Sequence, residues 1–299
     1  MADAKGLMSG KRGLVMGVAN DHSIAWGIAR TLAHQGAEVA FTYQGDAQAK
    51  RLRPLAASIG SHIVLRADVE DDASLDETFA AVRSEWGALD FVVHSIAGSD
   101  KNELRGRFVD TSRANFKLAL SVSCYSFIAV ARRAAELMAP PVHGGKGGGL
   151  VTLTYLGASR VMPNYNVMGV AKAALEASVR YLAADLGRDG IRVNAISAGP
   201  MRTLAGSAVG DARTVFKWNK AHSPLKMSIG LDHVGGAALY LLSDLSAGVT
   251  GEVHFVDAGF HVVGMPPTTD LKGWIAPENG IANGDGEVED AKDPARENA

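Results

Sequence analysis

The chain has almost no cysteine. One thiol, Cys124, in 299 residues leaves no partner for an intramolecular disulfide and no thiolate cluster for a metal, so a reducing compartment and a metal-free site are expected. Long apolar runs are also scarce. None approaches the ~18 residues needed to cross a bilayer, and the opening residues through Gly13 have no hydrophobic signal core. A cytoplasmic protein without membrane insertion is the expectation. Charge of one sign is missing as well, with a formal net charge of −2. That balance hides an acidic end: from Ile275 onward there are seven acids and two bases, while residues 1–274 carry 28 bases against 25 acids, or +3. Such a small excess argues against nucleic acid as a main partner. Prolines number ten, and the 34 glycines follow no period, which excludes collagen-like or low-complexity sequence and indicates many tight turns.

What is present is a regular alternation. Short β-branched runs fall at Gly13 to Gly17, Glu38 to Thr42, Ile63 to Ala67, Phe91 to Ser95, Leu150 to Thr154, Val193 to Ser197 and Val253 to Val256. Longer helical-period stretches separate them, as in a parallel sheet flanked by helices. The expected fold is α/β, a Rossmann-like doubly wound sheet of seven parallel strands with helices on both faces, in one domain over residues 1–265. The clearest helix runs from about Asn164 to Leu186, with Val167, Val170, Ala171, Ala174, Tyr181 and Leu182 on its apolar stripe. Gly144 to Gly149 reads as a glycine-rich surface turn before a strand. From Pro266 the composition turns polar and acidic, with only Leu271, Trp274 and Ile275 as apolar anchors. Residues 266–299 therefore read as a disordered tail.

The first βα turn, Gly17 to Gly27, lies where a dinucleotide pyrophosphate would meet backbone N–H groups at a helix N-terminus. Its spacing is not Gly-x-Gly-x-x-Gly, because Ser23 stands where another glycine is usual; a tight turn capped by Ser23 without a ligand is the alternative. The second strand ends at Gln44, where an acid commonly bonds the adenosine ribose. Gln44 can bond a hydroxyl but does not attract a phosphate, although Lys50, Arg51 and Arg53 follow, so NADH is expected over NADPH. Asp68 and Val69 end the third strand, with Asp68 either accepting from an adenine amino group or capping a helix.

The segment Thr154 to Lys172 is the most informative. Seven residues, nearly two helical turns, separate Tyr165 from Lys172 and place them on one helix face. A phenol is a weak acid or base at neutral pH, and a neighbouring ammonium favours its anion; an interfacial tyrosine and a snorkelling lysine are the alternative. In context, with Tyr155 ten residues upstream of Tyr165, Pro163 to Gly169, and Val193 to Ala205, the chain resembles the short-chain dehydrogenase/reductase superfamily. Within it the resemblance is to the bacterial NADH-dependent enoyl-acyl-carrier-protein reductases, from about Leu7 to Pro266, nearly 90% of the chain.

That resemblance implies roles. Tyr165 would donate to the thioester carbonyl, Lys172 would hold the nicotinamide ribose, and Tyr155 would line the acyl pocket. Gly17, Ser23 and Ile24 would lie on the pyrophosphate side, Gln44 at the adenosine ribose, and Asp68 and Val69 at the adenine. Ile96 would pack on the cofactor, with Met201 and Thr203 at its nicotinamide end. Met168 would either face the pocket or be a core methionine. The family often has Gly-Phe after Ser95-Ile96, whereas this chain has Ala97-Gly98 and so lacks that aromatic wall. The turn around Gly145 is longer than the family's usual one. The implied reaction is hydride transfer from NADH to an enoyl thioester on acyl carrier protein, by a homotetramer packed through helices around Phe116 to Leu137 and Asn164 to Leu186 and through the last strand. The segment 201–230 is expected to bind substrate, and a stripe at Arg213, Lys217 and Lys220 either attracts the acidic carrier or is a solvated face. The competing readings are a 3-oxoacyl reductase, against which Tyr155 argues, and a noncatalytic dinucleotide sensor, against which intact Tyr165 and Lys172 argue.

Overall fold

The computed structural model describes residues 6–138, 147–203 and 212–265. The chain through Val263 groups into one compact unit, and that from Gly264 onward into a second. The expectations for Gly145, for residues 204–211 and for the tail with Leu271, Trp274 and Ile275 lie outside the described residues.

Seven strands form one parallel sheet: β1 Arg12–Met16, β2 Glu38–Tyr43, β3 Val64–Arg66, β4 Phe91–His94, β5 Gly148–Thr154, β6 Ile191–Ala198 and β7 Val253–Val256. Their order is β3-β2-β1-β4-β5-β6-β7, all neighbours parallel. The order reverses between β1 and β4, so the crevice at their carboxyl ends is the ligand position of a doubly wound sheet. All seven expected strands are present. β5 starts earlier than expected because Gly148 and Gly149 pair with Ile191 and Arg192 of β6, so the glycine-rich turn ends at Gly147 rather than Gly149.

Helices are α1 Ile24–His34, α2 Asp46–Ser58, α3 Asp72–Trp86, α4 Arg113–Leu120, α5 Ser126–Met138, α6 Asn166–Leu186, α7 Ala212–His222 and α8 Leu231–Leu242. Strand side chains alternate between faces. Leu14 and Met16 enter an apolar core with α3, α5 and α6, while Val15 enters a second core with α1, α2 and α8. A π-helical turn, Ser121–Tyr125, joins α4 to α5. By length and composition the run Arg113–Met138 could cross a membrane. It is instead a core helix here: Phe127, Val130 and Ala131 are fully buried, and Arg133 bonds Asp72 and Asp76 of α3.

The packed face of α6 differs from expectation. Val167, Met168, Ala171, Lys172, Leu175, Val179 and Ala183 are buried, whereas Val170 and Tyr181 are 37% and 77% exposed. Apolar residues surround this helix on more than one side, and the sheet takes only one of them.

Candidate active site

A cavity of about 690 Å³ opens at the carboxyl ends of the strands, running from Gln44 and Val69 past Gly17, Ile24 and Ile96 to Tyr155, Tyr165, Lys172, Met201 and Thr203. It therefore brings together every expected site residue except Ser23 and Asp68. Gly17 follows β1 with φ +96°, and a Cβ there would strike the Ser95 carbonyl oxygen. Only glycine fits this turn, which leaves the crevice open to a phosphate-bearing ligand.

Ser23 acts on the turn rather than as a helix cap. Its Oγ accepts from the backbone N–H groups of Ala19 and Asn20, at 3.0 and 3.1 Å, and makes no cap hydrogen bond to α1. It fixes the loop that leads into the helix N-terminus. Arg51 Nε donates to the Ala19 carbonyl at 2.9 Å, and Gln48 Nε2 donates to that of Val18 at 2.8 Å, so α2 braces the same turn. Asp68 is not the cap of α3, a role that Asp71 fills by accepting from Ala73 N. Asp68 instead accepts from Gln44 Nε2 at 3.3 Å, reaching the cavity through Gln44.

Tyr165 sits at the N-terminal boundary of α6, between Asn164 at φ +57° and Asn166 at φ +32°. Asparagine enters the left-handed region more readily than most residues. Asn166 Nδ2 donates to the carbonyls of Glu103 and Gly106. The helix thus begins at Asn166, two residues later than its periodicity suggests, and the tight entry aims Tyr165 into the cleft. Tyr155, just past β5, meets it edge-on, with ring centroids 5.1 Å apart and planes at 74°.

Lys172 is 6% exposed, and its Nζ donates to the Leu153 carbonyl at 2.7 Å. Burial pulls its pKa down to about 8, partly opposed by Cys124 and Glu176. Burial also raises the Tyr165 phenol above its ordinary value, with Tyr155 and Glu176 adding to the shift. The expected lowering by Lys172 does not appear: desolvation of the phenolate is the largest cause, and Lys172 is not among the others. Tyr155 is pushed up to about 12 by burial and then by Asp257. Both phenols are protonated at neutral pH and are hydrogen-bond donors rather than bases.

Two polar features were not anticipated. Glu176, one turn beyond Lys172, accepts from Thr154 Oγ1 at 2.7 Å, and burial raises its pKa; the i, i+4 spacing from Lys172 was the available signal. His94, fully buried at the end of β4, lies 3.0 Å from Thr152 Oγ1 and 2.9 Å from Ser126 Oγ. Among the described residues there is no cluster of histidine, cysteine and acids fit to hold a metal.

Comparison with known proteins gives the same reading. A family model described as enoyl-(acyl carrier protein) reductase matches residues 17–261. The chain is 60% identical over 267 residues to an enoyl-[acyl-carrier-protein] reductase [NADH] of Rhizobium meliloti, covering 89% of this chain and 97% of that protein. The crystal structure of FabI from Candidatus Liberibacter asiaticus superposes with a TM-score of 0.85 at 54% identity, covering 88% of this chain and all of that one. That of the enoyl-(acyl-carrier-protein) reductase of Anaplasma phagocytophilum, in complex with NAD, gives 0.84 at 56% identity, covering 88% and 98%. A tyrosine pair and a buried lysine in a dinucleotide-sized crevice, with likeness over nearly the whole sheet, place the chain in the enoyl-(acyl carrier protein) reductase family.

Proposed function

We infer that the protein reduces the trans-2 double bond of enoyl thioesters carried on acyl carrier protein, the reductive step that ends a round of fatty-acid elongation, with NADH as hydride donor. The observation that carries this reading is the protonated, half-buried phenol of Tyr165 lining the same largely apolar cleft as buried Lys172. Bound NADH supplies a hydride to the substrate β-carbon. Negative charge then grows on the thioester oxygen, and a fixed phenol donor there is worth more in the transition state than in the ground state.

The chain's own residues divide the work. Tyr165 donates to the thioester oxygen, Tyr155 holds the edge-on partner ring and lines the acyl side, and Lys172 donates to the nicotinamide ribose. Gly17, Ser23 and Ile24 form the pyrophosphate turn, Gln44 meets the adenosine ribose with Asp68 behind it, and Val69 lies at the adenine. Ile96 packs on the cofactor, while Met201 and Thr203 border its nicotinamide end. Residues 1–265 act as one catalytic domain, with 201–230 over the substrate.

The protein works as a homotetramer in the cytoplasm. Support for assembly comes from Phe116, Tyr125, Ile128, Val170 and Tyr181, apolar side chains exposed on the chain by itself, since burying them on a second copy removes their contact with water. Sedimentation at micromolar concentration tests this, and a monomer overturns it. For the reaction, NADH and crotonyl thioester are mixed with the protein and followed at 340 nm. Oxidation of NADH with the enoyl but not a 3-oxoacyl thioester is expected; the reverse preference assigns a ketoreductase, and no turnover with either a noncatalytic protein.

A further inference from the structure

Next to the tyrosine pair the cavity is walled by Gly98, Leu104, Leu118, Val122 and Met168. Leu104, Met168 and Tyr165 pack in one apolar cluster, so this wall continues directly from the reacting side chain. One buried hydroxyl pins it. Ser123 Oγ accepts from Gly98 N at 3.0 Å, approaches the Gly98 carbonyl at 3.2 Å and lies 3.7 Å from Met168 Sδ. The loop after β4, the π-helical turn and α6 thus meet at a side chain with no exposure to solvent.

Gly98 cannot withdraw from the turn without losing these bonds, and it cannot carry a side chain where it is. A Cβ at this position would stand 2.8 Å from Val122 Cγ1 and 3.3 Å from Val122 Cβ. Valine is stiff at χ1 because it is branched at Cβ, so a clash there is relieved by displacing the whole side chain towards the cavity rather than by a change of rotamer. Val122 therefore lines the cavity here as a β-branched side chain held by a pinned turn against a bare backbone.

We propose that Gly98 and Val122 form a rigid gate on the girth of the acyl chain, admitting unbranched alkyl enoyl groups and turning away those with a ring or branch beside the double bond. The proposal rests on the cleft being the enoyl site. The four side chains of the wall are all aliphatic or thioether, which suits a slim alkyl chain. A stiff residue on a fixed turn discriminates by width, because an apolar pocket that cannot relax charges the full steric cost to the wrong substrate.

The test compares trans-2-octenoyl and trans-cinnamoyl coenzyme A thioesters with NADH, reading the ratio of their kcat/KM values. One methylene in an apolar pocket is worth roughly 10- to 200-fold in discrimination. Val122→Ala is expected to raise the cinnamoyl-to-octenoyl ratio by about tenfold or more. Gly98→Ala is expected to lower kcat/KM for octenoyl by about tenfold by driving Val122 into the passage, and the double variant to recover that loss. Melting curves and NADH binding by fluorescence check folding, and Val122→Ala decides the matter alone if Gly98→Ala does not fold. An unchanged ratio in Val122→Ala, or simple additivity in a folded double variant, overturns the gate while leaving the enoyl reading intact. Failure of the unsubstituted protein to reduce octenoyl thioester overturns that reading instead, and the gate with it.

Discussion

Tyr155 and Tyr165 come from different elements, the end of β5 and the start of α6, yet their rings meet edge-on at 5.1 Å. Edge-to-face contact is a favoured geometry for aromatic pairs, and here it holds Tyr165 from the side while the left-handed Asn164 and Asn166 hold it from the backbone. The burial that raises the Tyr165 pKa also keeps the phenol protonated, as a donor to substrate must be.

Tyr165→Phe keeps the ring contact and removes the hydroxyl. Turnover with crotonyl thioester is expected to fall by about 10²- to 10³-fold, the usual cost of one oxyanion donor. Binding of NADH, followed by fluorescence, is expected to change little. Full activity in this variant would remove Tyr165 from the chemistry.

The pKa of Lys172, lowered to about 8 by burial, sets a direction for pH. The ammonium is present below that value and lost as pH rises through it, and with it goes the donor proposed for the ribose. KM for NADH is therefore expected to rise above about pH 8, while below pH 7 it stays flat. The neighbours Cys124 and Glu176 hold the value up, so Glu176→Gln should move the rise to lower pH. Lys172→Met should raise KM for NADH at every pH and abolish the dependence. A KM that is constant from pH 7 to 10 in the unsubstituted protein would contradict this assignment.

Tyr165 and Lys172 were legible because their spacing is chemical as well as structural: seven positions bring a phenol at the helix boundary and an ammonium on the helix into one cavity. The strands were legible for a similar reason, since runs such as Phe91 to His94 are buried on both sides and read as continuous apolar segments. The side of α6 that faces the core was not. Val170 is as apolar as Val167 and Val179, and only tertiary packing distinguishes them. Nor could the sequence reveal that Ser23 bonds backward into its turn, that Asp68 holds Gln44, or that His94 is enclosed by Thr152 and Ser126. Each depends on contacts that local periodicity does not encode.

Cofactor choice follows from one of those contacts. Asp68 lies 3.3 Å from Gln44 Nε2, which puts a carboxylate behind the residue assigned to the adenosine ribose. A 2′-phosphate there meets negative charge. Arg51 is engaged at the Ala19 carbonyl, and the Arg53 guanidinium lies 5.8 Å from the centre of the Tyr43 ring. NADH is expected to give the higher kcat/KM, and Asp68→Asn to narrow the gap by several-fold, most clearly at low salt. Equal efficiency with both cofactors would show that these arginines compensate the phosphate.

His94 bears on acid stability. Burial drives its pKa from 6.5 down to about 3, so the unfolded chain takes up a proton between these values that the folded chain refuses. Stability is therefore fully present above about pH 6.5 and is lost as pH falls towards 3, by up to ~1.4 kcal/mol per pH unit from this group. Urea midpoints measured from pH 7 to 4 should decline, and less steeply in His94→Gln. Parallel slopes in the two proteins would show that other groups carry the acid response.

Carrier docking on α7 can be tested by charge reversal. This helix directs Val215 and Phe216 into the cavity, and Arg213, Lys217 and Lys220 are exposed on it at i, i+4 and i+7. The expected stripe is therefore exposed on the helix whose Val215 and Phe216 line the cavity. Attraction between exposed charges acts mainly on association and is screened over about 8 Å at physiological salt. Replacing all three by glutamate should raise the apparent KM for carrier-bound crotonyl several-fold at low salt, with a smaller effect at high salt. The coenzyme A thioester also carries negative charge but presents a much smaller surface, so its KM should shift far less. If the two substrates respond alike, or neither responds, the stripe is a solvated face and the carrier docks elsewhere.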